Sequence, residues 1–381
     1  MLLTQADSTV PRSDIVGPRR CHNFSGGPGA LPECVLAEAQ AAIARAPGTE
    51  LSILGIGHRS TWFRDVVDET EQNLRALLGL PNEYDILFLQ GGASLQFSMI
   101  PMSLLRGRQQ SADYLVAGYW STKAVPEAQR EGAVRVIWSG EGSGFSRLPH
   151  DAELTYDEDA AYLHYVSNET VEGLQFHRIL GLDKVRRICD MSSDFLCRPI
   201  DAQRFSLIYA HAQKNLGPAG LTVVILRRDL LEEIPDGLPS MLDYRRHVEM
   251  GSIYNTPPVF AIYVMLLVTR WLRRLPGGLQ TMAERNQAKA EALYGLLDSS
   301  DGFYRGRAAA EDRSLMNVVF HLPSEALEKQ FLQEAEESGF YGLEGHRSCG
   351  GIRASLYNAV TMESVLALSK FMDEFRATTT S

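Results

Sequence analysis

Leu207-Ile208-Tyr209-Ala210-His211-Ala212-Gln213-Lys214-Asn215-Leu216-Gly217-Pro218-Ala219-Gly220 runs directly into Leu221-Thr222-Val223-Val224-Ile225-Leu226. Two apolar runs of strand length flank a turn that carries a single lysine. Short apolar runs bounded by Gly and Pro read as buried strands. Gly217, Pro218 and Gly220 make the connection tight, which aims the Lys214 amine. A lysine at the carboxyl end of a strand stands where open α/β sheets hold ligands. A lysine beside a Gly-Pro turn is also a common solvated surface residue, and this stretch alone leaves both readings open.

Outward from this turn the strand pattern repeats. Residues 86–89, 114–116, 134–138, 162–166 and 187–189 are further apolar runs, and a helical stretch spans about 94–105. Strands alternating with helices imply an α/β fold whose large sheet is mostly parallel and covered by helices on both faces. After about residue 285 the pattern changes to helix 285–297, strand 316–321, helix 325–338, strand 351–356 and helix 362–376. These form a smaller α+β unit. The expected divisions are a disordered extension over 1–20 and a segment 21–32 that joins the small domain. A large domain over 33–285 and a small C-terminal domain over 286–381 complete the chain.

Composition narrows the function classes. The 381 residues are 45% hydrophobic and 22% charged, enough for more than one hydrophobic core. A formal charge of −10 offers no basic field for a nucleic acid. Local arginines can still bind small anions. The five cysteines (Cys21, Cys34, Cys189, Cys197 and Cys349) are scattered, with no C-x-x-C pair, and read as free thiols. Residues 1–20 hold no apolar stretch fit for a signal peptide. The longest apolar run, 259–268, is ten residues, about half of what a bilayer needs. It reads as a buried helix. A cytoplasmic protein, with no membrane or nucleic-acid partner and no metal, is expected.

The chemistry begins with Lys214 and Asp190. Asp190 ends the run 187–189 and precedes Lys214 by one strand and its connection. Adjacent strand ends bring such a carboxylate and amine to one cavity. Pyridoxal phosphate uses both, a lysine for the Schiff base and an acid that keeps the ring nitrogen protonated. Asp190 is equally suited to capping a turn with Ser192 and Ser193. Gln90-Gly91-Gly92-Ala93-Ser94-Leu95-Gln96 is a glycine turn opening a helix, where backbone N–H groups and the Ser94 hydroxyl can hold a phosphate. It fits neither G-x-G-x-x-G nor a P-loop. Trp120, in Gly118-Tyr119-Trp120-Ser121, follows another strand and can stack on a flat ring or simply fill the core.

Six separate stretches, in order across 22–376, resemble the phosphoserine aminotransferase family of class V aminotransferases. They are His22 through Pro32 with its Gly26-Gly27-Pro28-Gly29, Ser167-Asn168-Glu169-Thr170, Asp190-Met191-Ser192-Ser193, and Ala212 through Gly220. Tyr254-Asn255-Thr256-Pro257-Pro258 and Gly345-His346-Arg347-Ser348 complete the set. The resemblance implies the aspartate-aminotransferase type of fold, a homodimer and a pyridoxal-phosphate-dependent transaminase. It implies that Lys214 carries the cofactor and Asp190 pairs with its ring nitrogen. Trp120 stacks on the ring and Thr170 bonds its phenolic oxygen. Ala93, Ser94 and Gln213 hold its phosphate, joined by Asn255 and Thr256 of the neighbouring subunit.

For substrates the resemblance implies that Arg353 takes the α-carboxylate. His58, Arg59, His346 and Arg347 face the distal anion, a carboxylate in glutamate and a phosphate in phosphoserine. Planar guanidinium groups suit both anions. The implied reaction moves the amino group of glutamate to 3-phosphohydroxypyruvate, with the hydroxythreonine-phosphate analogue of vitamin B6 synthesis also open. Trp62, where the family often has a charged residue, and Cys349 beside the second anion loop leave room for a related phosphorylated or phosphonate amino acid. Cysteine desulfurases share the fold, but His346-Arg347 beside Cys349 suit an anion clamp more than a persulfide carrier. A scaffold without cofactor is disfavoured because Lys214, Asp190, Thr170 and Trp120 are all present.

Overall fold

The computed structural model describes residues 21–380, and the extension expected over 1–20 lies outside them. The described residues begin with β1 (His22–Asn23), α1 (Glu33–Ala44), α2 (Thr61–Leu78), β2 (Tyr84–Leu89), α3 (Gly92–Leu104), β3 (Ala112–Val116), α4 (Tyr119–Gln129) and β4 (Val134–Ser139). Next are β5 (Leu163–Val166), β6 (Asn168–Glu169), β7 (Leu174–Gln175), β8 (Arg187–Asp190), β9 (Leu207–His211) and β10 (Thr222–Arg227). Helices α5 (Tyr244–Glu249), α6 (Val259–Arg274) and α7 (Gly278–Asp298) follow. The last part holds β11 (Arg305–Gly306), β12 (Asn317–His321), α8 (Glu325–Glu337), β13 (Phe340–Tyr341), β14 (Ile352–Ser355) and α9 (Met362–Thr380).

The seven-stranded sheet has the order β2-β10-β9-β8-β5-β3-β4. Its neighbours pair parallel from β9 through β4, and only β10 runs antiparallel, against both β2 and β9. The reason is local. The β9–β10 connection is too short for the crossover that a parallel pair requires, so β10 turns back. Side chains alternate across the sheet. Val223 and Ile225 join the core under α2 and α6, while Val224 and Leu226 join the core under α3. The ends of β2, β3, β5, β8 and β9 all reach one edge, the usual ligand edge of such a sheet.

The run 259–268 lies in α6, as the sequence indicates, with 261–269 and Leu272 buried. The helix expected over 285–297 starts earlier, at Gly278, after a turn in which both Gly277 (φ 80°) and Gly278 (φ 57°) take the left-handed region. Helix α2 went unread, although Ser60 caps it by accepting from the Phe63 N–H and Gly79 ends it in the left-handed region. At the C-terminal end β11, β12 and β14 form a second sheet. Its core gathers Phe320, Phe331, Leu293 and Met372, together with Phe24 from the start of the chain. Strand β1 pairs parallel with β13, which draws residues 22–24 onto this unit.

Candidate active site

Lys214 lies in the β9–β10 turn, which is closed by bonds from Ala212 N–H to the Leu221 carbonyl and from Gly217 N–H to the Ala212 carbonyl, both 2.8 Å. The amine is buried. It donates to Thr170 Oγ1 at 2.9 Å and sits 5.9 Å from the centroid of the Trp120 ring. Burial pulls the Lys214 amine down to about 8, Asp190 opposes the drop and Arg353 adds to it. Asp190 ends β8, next to β9, and is also buried. Its Oδ1 accepts from the Ser192 N–H at 2.8 Å. The turn-capping role and the place beside the lysine are therefore both real. Burial raises the Asp190 pKa, against the Ser192 bonds and the Lys214 charge.

Gly91 (φ 94°) and Gly92 (φ 69°) turn the chain from β2 into α3. A β-carbon on Gly92 would lie 3.0 Å from the His211 ring, so the helix start approaches β9 as closely as only glycine permits. Ala93, Ser94, Gln213, Lys214, Asp190 and Trp120 line one cavity of about 180 Å³. His211, Ser192, Ser193 and Asn168 line it too; all four lie in stretches that the sequence marks, but none is assigned a site role there. The His211 ring is pulled down to about 4, chiefly by burial and then by Lys214, and its Nδ1 accepts from the Gln213 N–H.

Arg353 lies on β14, largely buried against Gly26. Its Nε and Glu172 Oε2 are buried and, among the described residues, have no hydrogen-bond partner. His346 rests on Tyr119, with ring centroids 4.7 Å apart, and Tyr119 meets Trp120 edge-on at 5.1 Å. Arg347 beside it is exposed. His58 and Arg59, on the approach to α2, do not line the cavity. Neither do Asn255 and Thr256. Both are exposed, and both touch Gln90 of their own chain: Asn255 Nδ2 donates to Gln90 Oε1 at 3.4 Å, and Gln90 Nε2 donates to the Thr256 carbonyl at 2.5 Å.

Two acids were overlooked. Glu169 and Glu172 are buried against the first turn of α4, next to Trp120. Burial, with the nearby Glu169 charge adding, pushes the Glu172 carboxyl up to about 8. The available signal was two acids in a segment otherwise composed to be buried, one of them already inside the Ser167-Asn168-Glu169-Thr170 motif.

The sequence pattern of the family described as Aminotransferase class-V matches residues 21–368. The phosphoserine aminotransferase of Desulfatibacillum aliphaticivorans is 51% identical over 357 residues, which cover 93% of this chain and 98% of that protein. The chain belongs to the phosphoserine aminotransferase family of class V aminotransferases. Its fold agrees with that of solved phosphoserine aminotransferases. The solved phosphoserine aminotransferase from Bacillus circulans subsp. alkalophilus is 47% identical with a TM-score of 0.92, covering 95% of this chain and 99% of that one. The PLP-bound phosphoserine aminotransferase from Trichomonas vaginalis is 36% identical with a TM-score of 0.86, covering 93% and 100%. In this class V aminotransferase, no helix among the described residues is long and apolar enough to cross a membrane.

Proposed function

We propose that this chain is a pyridoxal-phosphate-dependent transaminase that moves the amino group of glutamate to 3-phosphohydroxypyruvate, reversibly giving phosphoserine and 2-oxoglutarate. The observation that carries the reading is the buried Lys214 amine, held by Thr170 beside Asp190 and Trp120 at the sheet's ligand edge. The donor set fits the cofactor. Ala93, Ser94, Gln213 and the N–H groups of the α3 start would hold a phosphate, and Asp190 would pair with a ring nitrogen. When bound, pyridoxal phosphate supplies the electrophilic carbon and a protonated ring that draws electrons from the carbon losing its proton.

The residues divide the remaining work. The depressed pKa leaves about a tenth of the Lys214 amine neutral at pH 7, far more than an ordinary lysine keeps, and fits it to act as a nucleophile and then as a base. With the amine free, its Nζ would be the base that removes the substrate α-proton and would return it within the same site. Arg353, with a buried donor unused, holds the α-carboxylate. His346, which rests on Tyr119 next to Trp120, and Arg347 beside it take the distal carboxylate or phosphate. His58 and Arg59, away from their own chain's cavity, serve this anion across a homodimer, as Asn255 and Thr256 serve the phosphate. The large cofactor-binding domain over 33–285, the small domain over 286–381 joined by 21–32, and a cytoplasmic location belong to the same reading. The pairing of β1 with β13 supports the junction.

Borohydride reduction of the purified protein, followed by peptide mapping, should fix the cofactor to Lys214. A label on another lysine, or a preference for non-phosphorylated oxo-acids in a panel with 3-phosphohydroxypyruvate and phosphonate analogues, overturns the reading.

A further inference from the structure

Glu169 and Glu172 have no place in the transfer described above, yet both are almost wholly buried. Glu169 accepts from the backbone N–H of Trp120 at 3.1 Å, from that of Ser121 at 2.9 Å, and from the Ser121 hydroxyl. Glu172 accepts from the Tyr119 N–H at 3.1 Å. The first N–H groups of a helix have no partner within it and favour an anion. Gly118, at the cap of α4, has no side chain to supply one. A β-carbon there would lie 2.4 Å from Glu172 Oε2 and 2.8 Å from Glu169 Cγ, so the acids come close because the cap is glycine. Glu169 also precedes Thr170, whose hydroxyl holds Lys214. One dipeptide therefore grips both the tryptophan's backbone and the lysine's amine.

We infer that Glu169 is a positioning residue for the cofactor: by holding the Trp120 backbone it sets the indole where a flat ring carried by Lys214 is stacked. The inference rests on the proposed function. Glu172, which holds Tyr119 and not Trp120, provides the contrast within the same helix turn.

The experiment uses the holoenzyme with Glu169→Gln, which keeps the shape of the side chain but turns one acceptor oxygen into a donor facing an N–H. The visible cofactor band and borohydride labelling of Lys214 should persist. The induced circular dichroism of that band should be mostly lost, and the cofactor dissociation constant should rise about tenfold or more. Glu172→Gln should leave both measures at wild-type values. In a Trp120→Ala background, Glu169→Gln should add no further loss, because the path runs through the indole. Where the Gln variant does not fold, Glu169→Asp, with the carboxylate one methylene short, should show the same loss in smaller size. Unchanged dichroism and affinity in a folded Glu169 variant, equal losses in the Glu169 and Glu172 variants, or additive losses with Trp120→Ala overturn the inference. Failure of Lys214 to be labelled in the wild-type enzyme defeats the proposed function instead, so the two failures are told apart.

Discussion

Replacing Gly26 by alanine tests the substrate arginine without altering it. A β-carbon on Gly26 would lie 2.3 Å from Arg353 Nη2, 2.5 Å from Cζ and 2.8 Å from Nε. Non-bonded heavy atoms rest about 3.5 Å or more apart, so the guanidinium must retreat by roughly 1 Å. Gly26 is not among the residues in the left-handed region, so alanine adds no backbone strain. The obstructed atoms are the end of a long side chain, and the fold should survive the change. A paired, charge-assisted contact to the α-carboxylate should not. Its loss is worth about 1.5–3 kcal/mol, or roughly 10- to 150-fold in KM. Every amino-acid substrate carries that carboxylate, so the rise should be similar for glutamate and phosphoserine. Cofactor affinity should not change. Steady-state kinetics with both donors, beside an absorbance titration of the cofactor, measure all three quantities. An unchanged KM for both donors, or a rise confined to the phosphorylated one, refutes the placement of the carboxylate on Arg353.

Arg347→Ala should act selectively, weakening phosphoserine by roughly tenfold or more while donors without a distal anion keep their KM; an equal effect on both classes counts against the division of labour. Mixing Lys214→Ala chains with chains carrying Asn255→Ala and Thr256→Ala should restore activity above either parent, since one site of the mixed dimer is then wholly wild-type. No gain on mixing means that the contact of Asn255 and Thr256 with Gln90 of their own chain marks the subunit they serve. In the cofactor-free protein Lys214 titrates near 8, against about 10.4 for an ordinary lysine. Between those values the unfolded chain holds more protons than the folded one, so stability rises with pH across that window. Urea midpoints should show the rise, and Lys214→Met should flatten it; identical slopes in the two proteins would show that the buried amine is not the source.

What could be read without a structure was local in the chain. Short apolar runs bounded by Gly and Pro marked the strands, and alternation with helices announced the parallel sheet. Lys214 and Asp190 could be placed because each follows a strand directly, and the carboxyl ends of parallel strands share one edge. The glycine pair before Ala93 and Ser94 carried its own signal for the same reason. Elements whose cues are masked by breakers lose their true start, as at α7, which begins at Gly278 rather than at 285.

The rest depended on contacts between segments far apart in sequence, which no local period records. Gly26 lies against Arg353 only because β1 pairs with β13 and the Phe24 carbonyl accepts from the Ser355 N–H, bringing segments more than 300 residues apart in sequence together. His346 reaches Tyr119 through the same folding-over of the C-terminal unit. Glu169 and Glu172 look like ordinary polar residues in sequence. They acquire meaning when β5, adjacent to β3, delivers the segment after it onto the first turn of α4. A helix start presents donors without naming the acceptor that will meet them. Strand order supplies that acceptor, and strand order is a property of the folded sheet.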